Sequence, residues 1–217
     1  MKHAIFVCGG WDGHTPRESA AVFAPWLEQQ GYAVDLVDSL AVYADAPRLA
    51  RCDLIVPTWT MGQLEPEQER GLCDAVSAGA GLAGWHGTMG DSFRASLNYM
   101  WMTGGQFVAH PGDLQPSYTV HITDPNHPIT QGLTDFAMPD TEQYYMLVDP
   151  AIRVLATTTF AGDVTMPAVW TKTWGRGRVA YASFGHTFRD FDVPAARTIV
   201  QRAMLWATRP AAPENPR

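Results

Sequence analysis

The stretch Gly81-Leu82-Ala83-Gly84-Trp85-His86-Gly87 decides the fold. A short apolar run ends in a turn flanked by glycines. This is the sequence form of a strand-to-helix turn that exposes its central side chain at the carboxyl edge of a sheet, where open α/β folds do their chemistry. Where an α/β protein of this pattern holds its nucleophile, this chain has His86 and not cysteine. An imidazole there can move protons or bind a metal, but it replaces a thiolate poorly in acyl transfer.

Working outward from that turn, buried strand and amphipathic helix alternate. Ala4-Ile5-Phe6-Val7 reads as a first strand, followed by the loop Gly9-Gly10-Trp11-Asp12-Gly13-His14. Thr15 as N-cap, Pro16 at the first helical position and Glu18 completing a capping box then predict a helix start. Ala20, Phe23, Trp26 and Leu27 form its apolar stripe, and Gly31 ends it. Residues 32–37 alternate as a second strand, 54–56 make a third buried on both sides, and 66–76 a helix closed by Gly79. The order predicts a flavodoxin-like, doubly wound, mostly parallel sheet with helices on both faces. Further strands are expected at 117–122, 153–157, 168–172 and 179–183, and a closing helix on the stripe Ala196, Ile199, Val200, Ala203, Met204. One domain over 1–208 is expected, with a frayed tail at 209–217 that holds three prolines.

Composition narrows the partners. With 46% hydrophobic and 17% charged residues among 217, the chain is globular. A net charge of −7 without a basic run argues against nucleic acid and leaves a small molecule as the expected partner. No stretch approaches a membrane span, and the amino terminus reads as a first strand rather than a signal. Cys8, Cys52 and Cys73 are odd in number and sit beside apolar residues, which predicts small, buried, reduced thiols in a cytoplasm. The segment Tyr99-Met100-Trp101-Met102 reads equally as core or as the interface of a homodimer or higher homo-oligomer.

The polar residues that stand apart from the stripes lie at strand ends and loops: Asp12 and His14, His86, His110 before Pro111, Glu142 beside Tyr144 and Tyr145, and His186. A parallel sheet opens several of these loops on the same edge, which makes them the candidate site. His127, ahead of Pro128, reads as a turn residue, and His3 and His121 as structural.

Gly-Trp-His-Gly at 84–87, Asp91 with Phe93-Arg94, Gly104-Gly105-Gln106-Phe107 before His110-Pro111, His127-Pro128-Ile129-Thr130 with Gly132-Leu133, Glu142 before Tyr144, the run 175–179 and Phe184-Gly185-His186 together resemble the ThuA-like (trehalose utilisation) family. The resemblance covers nearly the whole chain. It implies a class I glutamine amidotransferase-like fold without the nucleophilic cysteine, and a role in sugar metabolism beside oxidoreductases that make 3-keto derivatives of glycosides and disaccharides.

Chemistry suggests what such a site does. A ketone at C3 of a sugar acidifies the C2 proton, so a histidine near neutrality can abstract it while a donor or cation steadies the enediolate. His86 or His186 is the expected base, His110 a further catalytic candidate, and Glu142 the orienter or second acid/base. Trp11, Trp85 and Tyr144 are candidate stacking surfaces for a sugar ring, with Asp12 and His14 as further substrate contacts. His14, His86, His110 and His186, together with Glu142, suit zinc, manganese, nickel or iron, although no two have the spacing of a short metal motif. Three function classes follow: an isomerase, epimerase or lyase of a keto-sugar; a non-catalytic sugar-binding module; and an accessory subunit of a sugar oxidoreductase. A glutamine amidotransferase is disfavoured by His86.

Overall fold

The computed structural model describes residues 1–112, 114–160 and 162–210. In chain order its elements are β1 (Lys2–Gly10), α1 (Pro16–Gln29), β2 (Tyr32–Val37), α2 (Ala46–Ala50), β3 (Leu54–Thr60), α3 (Pro66–Ser77), β4 (Gly81–Trp85), α4 (His86–Gly90), α5 (Leu97–Thr103), β5 (Gly105–Ala109), β6 (Tyr118–Ile122), β7 (Phe136–Met138), β8 (Tyr145–Val148), β9 (Arg153–Phe160), β10 (Val164–Trp174), β11 (Gly177–Ala182) and α6 (Pro194–Ala207). Short 3-10 turns occupy Asp12–His14, Leu40–Ala44 and Phe188–Asp192.

The main sheet has the order β2-β1-β3-β4-β11-β10-β9-β6-β7. From β2 to β11 every neighbour is parallel. Beyond β11 the strands pair antiparallel. The chain thus forms the doubly wound, mostly parallel α/β sheet that its alternation predicts, extended by an antiparallel wing. Period-two side-chain alternation splits the core between the two faces. Along β1, Ala4, Phe6 and Cys8 join Phe23 of α1, Phe191 of the 3-10 turn at Phe188–Asp192, and Ile199 of α6 on one side. Ile5 and Val7 join Leu72 of α3 and Tyr99 of α5 on the other. Phe6, Phe23, Leu72 and Ile199 are fully buried, each worth about 1.5–3 kcal/mol over exposure.

The start of α1 departs from expectation. Thr15 is in the left-handed region at φ 45°, and its side chain makes no cap bond, so there is no capping box with Glu18. A capping side chain needs an extended backbone to turn back on its own helix. The Thr15 hydroxyl instead accepts from Phe188 N at 2.9 Å, tying α1 to the loop after β11. The segment 99–102 falls in α5, with Tyr99 and Met102 buried and Trp101 61% exposed. Of the tail expected to fray, Arg209 N donates to the Asp53 carbonyl at 2.9 Å, and residues 211–217 lie outside the described residues. Among the described residues no helix is long and apolar enough to cross a membrane.

All three cysteines are free. Burial pushes the Cys8 thiol up, Cys52 to about 12 and Cys73 to about 11, the last helped by Glu69 and Asp74. Thiolates are the reactive form, so the native protein at pH 7.5 should leave Cys8 and Cys52 unlabelled by iodoacetamide, with all three alkylated after denaturation. Mass spectrometry reads the result, and rapid native labelling of Cys52 would contradict the packing described.

Candidate functional site

Three strand ends of the parallel half deliver three imidazoles to one edge. β1 runs out at Gly10 into the 3-10 turn that carries His14. β4 stops at Trp85 and α4 begins on His86. β11 ends at Ala182, four residues before His186. β3 lies between β1 and β4 and ends on Thr60, whose hydroxyl is 2.8 Å from His14 Nδ1. His86 is a non-glycine residue at φ 41°, a conformation that costs about 1–3 kcal/mol and persists only where the surroundings impose it. Its ring Nδ1 donates to the Ser183 carbonyl at 2.9 Å, while its own carbonyl accepts from the Tyr181 hydroxyl at 2.9 Å.

The other two groups come from an excursion of the chain between β4 and β9. β5 and β8 pair antiparallel as a separate ribbon, with Ala109 opposite Tyr145. That register sets His110 beside the segment 142–144, and His110 Nδ1 donates to the Gln143 carbonyl at 3.3 Å. The loop carrying Glu142 is held on both sides. The Thr141 hydroxyl donates to Asp190 at 2.7 Å, Gln143 Nε2 donates to the Thr158 hydroxyl at 2.7 Å, and the Tyr118 hydroxyl donates to the Glu142 carbonyl at 3.1 Å.

Four imidazoles converge on one carboxylate oxygen. Glu142 Oε2 lies 3.0 Å from His86 Nε2, 3.1 Å from His186 Nδ1, 3.5 Å from His110 Nε2 and 3.7 Å from His14 Nε2. His14, His86, Glu142 and His186 each offer a ligand atom within 4.8 Å of the others. Burial alone would raise the Glu142 carboxyl, but the imidazoles of His14, His186 and His86, wherever the nitrogen facing it carries a proton, outweigh that and hold it well below the usual range. Burial lowers His86 to about 3 despite the carboxylate beside it. The site at neutral pH is therefore an anionic carboxylate against a neutral His86. A cavity of about 580 Å³ opens beside it, lined by Thr15, Thr141, His186, Phe188 and Asp190 among others. Burial raises the Asp190 carboxyl, which accepts from His186 N at 2.8 Å and so fixes the backbone of that residue.

The structure brings together His14, His86, His110, Glu142 and His186. Trp11 stands at their edge, 46% exposed, its ring 4.7 Å from that of His14. Asp12 is exposed, and its carbonyl accepts from Thr15 N in the turn. Two expected stacking surfaces are corrected. Trp85 is fully buried against Phe23 and Phe191, because the pleat sends it to the opposite side from His86. Tyr144 is also buried, its ring stacked on His86 at 3.8 Å, so it backs the histidine and cannot face a sugar. His127 is buried in its turn, Nδ1 accepting from Ile129 N at 3.2 Å. The sequence reading missed Thr60, Gln143 and Asp190. Thr60 alone carried a signal, as the strand-end neighbour of β1.

The family model described as ThuA, trehalose utilisation, matches residues 3–207. Among solved structures, a ThuA-like protein from Bacteroides uniformis is 18% identical with a TM-score of 0.79, over 95% of this chain and 91% of that one. A ThuA-like protein from Parabacteroides merdae is 17% identical with a TM-score of 0.74, over 98% and 93%. A cytoplasmic protein from Salmonella typhimurium is 14% identical with a TM-score of 0.69, over 96% and 100%. At these identities the likeness is one of fold. No curated protein matches the chain.

Proposed function

The chain belongs to the ThuA family of trehalose-utilisation proteins, and we propose that within carbohydrate utilisation it is an enzyme that moves a proton at the carbon next to a ketone of a sugar, a 3-keto glycoside or disaccharide derivative. The observation that carries this reading is the convergence of four imidazoles on Glu142, one of which, His186, lines an open cavity. Binding a sugar needs amides, carboxylates and aromatic faces, whereas a set of imidazoles suits proton transfer.

The residues divide by access. His86 is fully buried beneath Tyr144, which suits it to hold Glu142 rather than to meet substrate. His110 and His186 keep side-chain exposures of 18% and 13%. His110 donates from Nδ1 to Gln143, so its Nε2 carries a free lone pair, the form a base needs. In this reading His110 takes the C2 proton, the C2–H electrons form the C2=C3 bond of an enediolate, and the negative charge passes to the C3 oxygen. Delivery of a different proton to the opposite face of C2, from water or a second acid there while His110 keeps the one it took, gives an epimer. Expulsion of the C1 substituent instead gives an elimination product. Trp11 offers the exposed aromatic face against which the ring packs.

The test is proton NMR of the protein with a 3-keto-glucoside in deuterated buffer. The expected result is loss of the C2 proton signal above the buffer rate, slowed about 100-fold by His110→Ala, the lower end of what a general base contributes. A folded protein that binds the sugar without exchange would replace this reading with a sugar-binding module.

A further inference from the structure

The polarity of the site is unbalanced in one direction. A carbonyl can only accept, so in neutral His86 and His110 the bonds to the Ser183 and Gln143 carbonyls place the ring proton on Nδ1. Each Nε2 then presents a lone pair, and both lie within 3.5 Å of Glu142 Oε2, itself an acceptor. His186 Nδ1 is buried 3.1 Å from the same oxygen and has no hydrogen-bond partner. Among the described residues every ion-pair partner of Glu142 is a histidine, so no lysine or arginine neutralises it. Lone pairs gathered on an anionic oxygen repel one another unless a proton or a metal cation lies between them, and one metal ion can engage several of them at once.

We propose that His14 Nε2, His86 Nε2, His186 Nδ1 and Glu142 Oε2 bind one divalent first-row transition-metal ion, zinc first among them. Such ions hold imidazole nitrogen at about 2.0–2.1 Å, which in a tetrahedron separates ligand atoms by about 3.4 Å. The three nitrogens lie 3.0, 3.1 and 3.7 Å from Glu142 Oε2, on either side of that value. Three imidazoles and one carboxylate favour zinc, nickel, iron or manganese over magnesium and calcium, which prefer oxygen. The outer contacts fit as well. The Ser183 carbonyl and the Thr60 hydroxyl engage the far nitrogens of His86 and His14, the arrangement that orients metal-bound imidazoles. His110 lies outside this set of four and keeps its lone pair for a proton. A bound ion would act as a Lewis acid on a substrate oxygen. The metal site shares its residues with the keto-sugar reading but not its premise, since the ion binds whatever the substrate is.

Untagged protein purified without chelator is measured for metal content by inductively coupled plasma mass spectrometry, then stripped with dipicolinate and titrated with zinc by calorimetry and with cobalt by absorbance. About one ion per chain is expected, with a visible cobalt band of four- or five-coordinate intensity. Zinc affinity should fall about 100-fold or more in Glu142→Gln and in His14→Ala, and stay unchanged in the surface variant His121→Ala. Zinc binding no weaker in the two site variants than in the parent would overturn the proposal. If those variants fail to fold, the parent decides, because the absence of a cobalt band at stoichiometric metal is equally fatal. Keto-sugar exchange run on the same samples separates the two ideas. One bound ion without exchange upholds the metal centre while removing the keto-sugar reading.

Discussion

Glu142→Gln is expected to lower C2 proton exchange about 1,000-fold or more, while the protein keeps its fold. Glutamine preserves the shape of the side chain and removes its charge. Glu142 Oε2 is the point on which His14, His86, His110 and His186 all bear, so one substitution acts on every member of the cluster at once. Loss of the anion removes what steadies positive charge in the site, whether a proton on His110 or a bound ion. Losing a general acid–base group alone costs about 10²–10⁴-fold, and here the partner of each candidate is lost together. The fold should tolerate the change, because the loop is held by Thr141, Gln143 and Tyr118 and not by the Glu142 carboxylate. A neutral amide among bare imidazole nitrogens can also donate a hydrogen bond where the carboxylate could not. Circular dichroism and thermal melting of the metal-free proteins should therefore coincide within a few degrees. A variant that exchanges within tenfold of the parent rate would remove Glu142 from the chemistry.

What could be read in the sequence, and what could not, follows from how local each signal is. The apolar runs at 4–7, 54–56 and 81–83, the alternation at 32–37 and the strand expected at 179–183 are contained in the strands themselves, and they predict the parallel half of the sheet and the strand ends that carry His14, His86 and His186. The convergence of His110 and Glu142 depends instead on β5 pairing with β8, two short segments some forty residues apart with β6 and β7 between them, so that no single turn marks them as partners. Their being on loops was legible, whereas their meeting was not. Trp85 and Tyr144 were misjudged for a related reason. Closeness in sequence to a site residue is not closeness in space, and Trp85 shares the core face of Ala83 while His86 turns away from it. The Thr15 cap failed because the residue serves the loop at Phe188, a tertiary demand that overrides the local motif.

Gly87→Ala should damage the site far more than its size suggests. In the interior of a helix, alanine is ordinarily better than glycine by about 0.5–1 kcal/mol. Gly87 is in α4, yet a Cβ there would run into the His14 ring and come within 2.7 Å of the Tyr144 hydroxyl oxygen. Neither neighbour can step aside cheaply, since both are buried, and Trp85, His86, Thr88 and Met89 around the turn are fully buried as well. The sign of the substitution is thus reversed, at an overpacking cost of about 1–3 kcal/mol. That corresponds to roughly 2–4 °C in melting temperature per kcal/mol for a chain of this size. The larger effect is on function. The methyl group must push apart His14 and Tyr144, and Tyr144 is the surface on which His86 stacks. A displacement near 1 Å costs about 100-fold in a pre-organised site, and here two imidazoles move, so exchange should fall about 100- to 1,000-fold. Gly31→Ala is the matched control. Gly31 has φ 85°, so alanine is strained there, but nothing lies within 4 Å of its Cβ and the residue is far from the cluster in the sheet order. It should lower the melting temperature by a comparable amount and leave exchange untouched. Equal losses of exchange in the two variants would mean that global stability, and not the packing of Gly87 against His14, sets the activity.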